Sequence, residues 1–271
     1  NEVTRRGRET LGLICRELAS HGVQLLEADT DGVYFSVSDT WTEEDERRVV
    51  SEVATLLPPL VHLEFEGRYA AMLSHEPKNY ALLTYDQRLL LKGVAFRSSR
   101  AEPFGETFLR RAIGCLLIGD IPGVRDAYLD TVFALRRRTM PTYDVSSRVR
   151  LTKTPDEYAD GRADRRELTY EALLGSGRTT WRVGERVRVY RTAHGPGGVV
   201  PDPDDESQTI TWTDARDYDV DHYVRVLTNN FASRLERAFT PEDHAVVFSD
   251  PEQPSLFARD VSTIRAILRA V

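Results

Sequence analysis

The chain has 271 residues, 41% of them hydrophobic, and a formal charge of −7. That length suits one large domain or two ordinary ones with buried cores. No run of eighteen apolar residues occurs, so no membrane-spanning helix is expected, and no secretory signal is visible. The net charge alone argues against a nucleic-acid partner, but its distribution does not. Residues 92–191 hold 20 Lys and Arg against 13 Asp and Glu, a local +7 that leaves the remainder at −14. A basic middle inside an acidic chain can hold phosphates while the whole stays in solution.

The first residue is Asn1, and an amphipathic helix begins almost at once, which reads as a piece cut from a longer protein. Thr4 predicts an N-cap and His21-Gly22 an end, with Leu11, Ile14, Cys15 and Leu18 on the apolar face. Next, Val23–Ala28 and Val33–Val37 predict a β-hairpin around Asp29-Thr30-Asp31-Gly32. Two carboxylates at i and i+2 can face one side of the ribbon and repel unless a cation sits between them, an arrangement that invites Mg²⁺. A plain Asp-Gly turn with solvated carboxylates is the simpler alternative. Thr42-Glu43-Glu44-Asp45 predicts a capping box for a second helix, ended by Pro58-Pro59. Leu60–Leu73 reads as extended, and Asn79–Leu83 with Arg88–Lys92 as a second hairpin turning at Asp86-Gln87. This order is most of a split β-α-β fold with its front element lacking.

Beyond about Arg100 helices dominate. They are expected over Glu106–Ile118, Pro122–Arg138, Arg166–Leu174, Asp219–Phe239 (the longest) and Val261–Ala270. Val149–Thr152 and Glu185–Arg191 read as strands, and His194–Ser207 as a surface loop. Cys15 and Cys115, in apolar helical settings, read as buried reduced thiols of an intracellular, cytoplasmic protein. The six histidines lack ligand spacing, so no zinc is expected.

Read together, the motifs resemble the C-terminal part of a family B DNA polymerase, the rear of the palm followed by the thumb. Ala28-Asp29-Thr30-Asp31-Gly32 resembles the family's Tyr-Gly-Asp-Thr-Asp-Ser, and Val3-Thr4-Arg5-Arg6-Gly7-Arg8 its Val-Thr-x-x-Gly-Arg. Leu63-Glu64-Phe65-Glu66 resembles its Leu-Glu-x-Glu, and Pro77-Lys78-Asn79-Tyr80-Ala81 its Lys-Lys-x-Tyr-Ala. Lys92-Gly93 with Arg97 resembles the Lys-Gly…Arg leading into the thumb. The stretches 151–158 and 217–237 resemble thumb elements. The chain departs from the family at Glu27, where an aromatic stands, and at Ala28, Gly32 and Pro77.

The resemblance implies an α+β fold. Residues 1–100 would be the rear part of a split β-α-β (ferredoxin-like) palm with antiparallel strands. Residues 101–271 would be a mainly helical thumb with a small β element. It implies nucleotidyl transfer by a two-metal mechanism on primer–template DNA, with Mg²⁺ and deoxynucleoside triphosphates. Asp31 and Asp29 would be catalytic metal ligands and Glu66 an outer carboxylate. Lys78, Tyr80, Lys92, Gly93, Arg97 and Lys153 would touch DNA. For Arg136-Arg137-Arg138 a solvated helix end is expected rather than a DNA contact. The family's front aspartate and fingers lysine would precede Asn1, so the chain alone is expected not to extend a primer. Two alternatives stand beside this reading. One is a non-catalytic duplex-binding module with a vestigial metal site. The other is a metal-dependent nuclease, for which a third acidic cluster is lacking.

Overall fold

The computed structural model describes residues 2–29, 32–202, 212–252 and 259–267. The fold is α+β, with small antiparallel sheets and many helices, and it divides into two compact units, Asn1–Gly93 with Ile267–Val271, and Val94–Ala266.

In the first unit, α1 spans Glu2–Ser20, β1 Gln24–Asp29, β2 Gly32–Ser36 and α2 Glu43–Ala54. A second sheet holds β3 (Ala71–Glu76), β4 (Asn79–Leu83) and β5 (Leu89–Lys92), in that order. The capping box at α2 is present, Thr42 accepting from the Asp45 amide and Asp45 from that of Thr42. The predicted spacing holds in α1, where Ile14 and Leu18 turn inward against Val23, Val49 and Val53. Leu25, Val33 and Phe35 of the β1–β2 ribbon close over this cluster. Each aliphatic side chain buried there contributes roughly 1.5–3 kcal/mol relative to exposure.

Two expectations fail here. Thr4 lies inside α1, which begins at Glu2. Of the stretch expected to be extended over Leu60–Leu73, only Ala71–Leu73 joins a strand, β3, and residues 61–69 do not. Leu63 and Phe65 do alternate with polar neighbours, yet the segment joins no ladder, and pairing starts only where the Ala70 amide reaches the Leu83 carbonyl at 2.7 Å. Side chains hold it instead. Arg68 pairs with the buried Glu46 of α2 at 2.8 Å, and Arg47 of α2 lies over the Phe65 ring at 4.5 Å.

The second unit opens with α3 (Pro103–Leu117), α4 (Ile121–Arg136) and α5 (Thr142–Val145). It continues with β6 (Ser147–Arg150), α6 (Pro155–Gly161), α7 (Leu168–Gly175), β7 (Arg186–Tyr190) and β8 (Gly198–Val200). β7 is the central strand of the three, antiparallel to both neighbours. α8 (Val220–Val226) runs into a π-helical segment, Leu227–Phe231, then a 3-10 stretch, Ala232–Ala238. α9 spans Pro241–Val247, and a 3-10 turn covers Val261–Thr263.

The single helix expected over 219–239 is therefore three kinds of turn. Apolar residues at three and four spacing fit all three, so periodicity could not separate them. Phe231, at the end of the wide segment, packs against Phe104 at 5.6 Å between ring centroids. A Cβ built on Gly105 would overlap the Phe231 ring, which explains a glycine inside α3. The expected final helix is reduced to the Val261–Thr263 turn, and residues 268–270 of it lie outside the described residues. β8 falls inside the expected loop. Of the three arginines ending α4, Arg137 is exposed as expected, but Arg136 and Arg138 are not solvated. Arg136 pairs with Asp250 at 2.8 Å, and Arg138 donates to the Tyr218 carbonyl at 2.7 Å. Both cysteines are half-buried free thiols, not fully buried ones. Burial pushes both thiols up.

Candidate active site

Everything convergent in the first unit lies around the β1–β2 hairpin. Its register pairs Ala28 with Val33 and Asp29 with Gly32. Asp31, the favoured metal ligand, lies outside the described residues. A bulge between Leu25 and Glu27 resets the ribbon so that Glu27 faces Tyr34. Alternation then gives Glu27 and Asp29 the same face.

That face meets the β3–β4 turn. Glu27 accepts from Ser74 Oγ at 2.7 Å through Oε2 and from the Lys78 amide at 3.0 Å through Oε1. Lys78 Nζ lies 3.1 Å from Asp29 Oδ2. Lys78 has φ +67° and sits in the two-residue loop after Pro77, the proline-then-left-handed pattern of a type II turn. The sequence reading put Lys78 and Tyr80 two apart on one strand face. The left-handed backbone at Lys78 breaks that alternation, so Lys78 belongs to the turn and only Tyr80 to β4. Gly93 closes the arrangement from the end of β5. At φ +87°, a Cβ there would overlap the Lys78 carbonyl oxygen and the Asn79 side chain.

An aromatic group stands beside the carboxylates. The Tyr34 and Tyr80 hydroxyls are 3.2 Å apart, with ring centroids at 5.0 Å, and Tyr69 lies 6.3 Å from Tyr34. Burial holds the Tyr34 phenol well above its ordinary value, helped by the Tyr80 hydrogen bond and the charge of Glu66. Burial and Glu66 act likewise on Tyr69. Both phenols therefore stay neutral and work as hydrogen-bonding groups rather than as bases.

A cavity of about 1100 Å³ opens over these groups. Asp29, Glu66, Lys78, Tyr80, Lys92 and Gly93 all line it. Segments predicted separately to carry the site, up to 64 positions apart, thus share one concave surface. Two predicted contacts do not belong to it. Arg97 is exposed in the second unit, 4.0 Å from Glu106. Lys153, also there, pairs with Glu167 at 2.6 Å, which raises its pKa. Among the described residues no group of three or more His, Cys, Asp and Glu could hold a metal ion by itself.

No protein-family model matches the chain. It is 28% identical over 161 residues to the DNA polymerase of Methanocaldococcus jannaschii, covering 58% of this chain and 10% of that protein. It is 35% identical over 95 residues to DNA polymerase 1 of Pyrococcus abyssi, covering 34% of this chain and 12% of that one. The solved family B DNA polymerase of Pyrobaculum calidifontis shares its fold over 86% of this chain and 29% of that structure, at TM-score 0.60 and 18% identity. The chain is related to the family B DNA polymerases. It spans between a tenth and a fifth of the curated polymerases it matches.

Set beside the polymerase motif, the departure at Glu27 acquires a physical meaning. Where the motif has an aromatic, this chain has a carboxylate that ties two hairpins together. Sequence reasoning noted Glu27 only as a departure and missed Ser74, Tyr34 and Tyr69. A carboxylate inside the apolar run Leu25–Ala28 was the one available signal, and its partners lie 47 and 51 positions away.

Proposed function

We propose that this chain is part of a template-directed DNA polymerase, its first unit the rear of the palm and its second the thumb. The carrying observation is the shared cavity, in which Asp29, Glu66, Lys78, Tyr80, Lys92 and Gly93 face one volume. Asp29 and Asp31 would hold Mg²⁺, with Glu66 as an outer carboxylate. The fit is chemical. Magnesium takes hard oxygens and is commonly held by one or two carboxylates plus substrate phosphates, so a full protein cage is not required. Asp29 already draws a cation, the Lys78 ammonium. Bound there, magnesium would neutralise the charge that develops in phosphoryl transfer and align the attacking and leaving oxygens.

The remaining residues position and exclude. Lys78 has reach from an exposed turn to take a backbone phosphate or a minor-groove acceptor once its ammonium leaves Asp29. Tyr80, braced by Tyr34, presents a hydroxyl and a flat ring to a primer end. Lys92, exposed at the end of β5, adds positive charge, and Gly93 keeps the Lys78 turn close. Arg97 and, after release from Glu167, Lys153 would meet phosphates from the second unit.

One observation favours a second reading, a duplex-binding module without catalysis. The Lys78 ammonium sits where a metal would be attracted. Duplex binding itself is common to both readings, and nucleotide addition separates them. A labelled hairpin primer–template titrated with the chain should bind without sequence preference, in the range of about 10⁻⁴ to 10⁻⁶ M at physiological salt and more tightly as salt falls. Absence of binding at low salt would refute both.

A further inference from the structure

The second unit carries a ladder of four arginines that no motif announced. β6 and β7 pair in antiparallel register, Arg148 opposite Arg188 and Arg150 opposite Arg186. Alternation puts all four on one face of the sheet, because Val149, Val187 and Val189 point the other way, into the cluster around Tyr158, Tyr170 and Trp181.

The two pairs differ sharply in their surroundings. The inner pair is enclosed. Asp202 is buried, with Arg148 Nε 2.7 Å and Arg188 Nε 3.8 Å from its oxygens. Arg188 also donates to the Ser146 carbonyl and lies over the Tyr143 ring at 4.3 Å. One carboxylate thus serves two guanidinium groups. The outer pair is exposed, and neither Arg150 nor Arg186 makes an ion pair among the described residues. The nearest acid in sequence, Glu185, is taken by Arg178 and by the Arg182 amide. Arg150 has a defined seat, since a Cβ built on Gly184 would lie 3.3 Å from its Nη2. Gly184, at φ +92°, leaves that space open.

Like charges directly opposite on neighbouring strands destabilise a sheet. They become favourable when an anion sits between them, and two guanidinium forks side by side match the oxygens of a phosphate. We propose that Arg150 and Arg186 form a phosphate-binding pair for the backbone of duplex DNA. This rests on the polymerase reading and adds to it a contact in the second unit, where the expected Lys153 is already paired with Glu167. The buried Arg148–Asp202–Arg188 group acts as the support that fixes the ladder.

The test uses the double substitution Arg150→Gln/Arg186→Gln in the whole chain. Anisotropy of a labelled hairpin primer–template is followed across a potassium chloride series, and melting is recorded with and without that DNA. Two lost phosphate contacts should flatten the log–log salt slope by about 1.8. Without DNA the variant should melt at a higher temperature than the parent, because the opposed charges are gone. With DNA the parent should gain more in melting temperature than the variant. A purely structural role for the arginines predicts the reverse order without DNA. Binding by the parent with an unchanged slope in the variant would overturn this proposal and leave the polymerase reading standing. Failure of the parent to bind DNA at low salt would overturn both.

Discussion

Two charged groups, one in each unit of this chain, are put to different uses. Around Tyr158, Tyr170 and Trp181 in the second unit, charges close on one another. Glu171 accepts from the Tyr158 hydroxyl at 2.7 Å and from two Arg162 nitrogens at 2.6 and 2.9 Å. Its carboxyl is held down to about 2, chiefly by Arg162. Tyr170 accepts from the Lys153 amide, and Trp181 donates to the Lys153 carbonyl. In the first unit, Asp29, Glu66 and Lys78 instead line a cavity of about 1100 Å³. Charge satisfied inside a packed cluster sets architecture, whereas charge presented to an open concave surface is available to a ligand.

The sharpest way to break this contrast is to remove the charge that should matter only for stability. Glu171→Ala leaves Arg162 and Tyr158 without their acceptor and should cost about 2–3 kcal/mol, read from denaturant melts, since the half-exposed Arg162 can turn to water. The pH dependence follows from the lowered pKa. The contribution of Glu171 is complete above its unfolded value of about 4.3 and is lost as pH falls toward about 2. The gap between parent and variant should therefore be widest above about pH 5, fall to roughly half near pH 3, and close only below about pH 2. A gap that persists undiminished into acid would mean that Glu171 acts through packing alone.

Glu27 belongs to the other category and should behave differently. Glu27→Ala removes two hydrogen bonds at a half-exposed position, worth roughly 1–2 kcal/mol together. Its distinctive sign is local, since the Lys78 amide should lose protection in hydrogen exchange while amides of α1 keep theirs. Equal loss throughout the unit would make Glu27 a general stabiliser instead of a tie between the two hairpins.

The smallest effect is the most selective. Lys78→Gly suits a backbone with φ +67°, so the turn should persist and stability should rise by less than about 1 kcal/mol. The same change should flatten the salt slope of duplex binding by about 0.9. A stable variant with an unaltered slope would remove Lys78 from the DNA contacts.

Much of this could be read in the sequence wherever a signal is local. The Asp/Gly loop announced the β1–β2 hairpin, Thr42 and Asp45 announced the start of α2, and Asp86-Gln87 announced the β4–β5 connection. Non-local facts could not be read. Leu63 and Phe65 alternate as a strand would, but alternation reports which way side chains face and not whether a neighbouring strand offers hydrogen bonds. The left-handed Lys78 contradicts residue preference and is held by Gly93, fifteen positions on, and by Glu27, fifty-one positions back. The arginine ladder of β6 and β7 was only half visible, since alternation was legible in Glu185–Arg191 whereas the strand expected over Val149–Thr152 left Arg148 out. Only the register that sets Arg150 against Arg186 turns it into a pair.

The central claim is that the Asp29–Asp31 hairpin carries phosphoryl-transfer chemistry and not merely a turn. Asp31→Ala, placed in its full-length context, tests it most directly when single-turnover nucleotide addition and primer–template affinity are measured on the same samples. A metal ligand acts in the transition state, whereas an acidic side chain near DNA repels ground-state phosphate. The account predicts a rate loss greater than tenfold, a barrier rise above about 1.4 kcal/mol, with duplex affinity unchanged or slightly tighter. A rate within tenfold of the parent would contradict it.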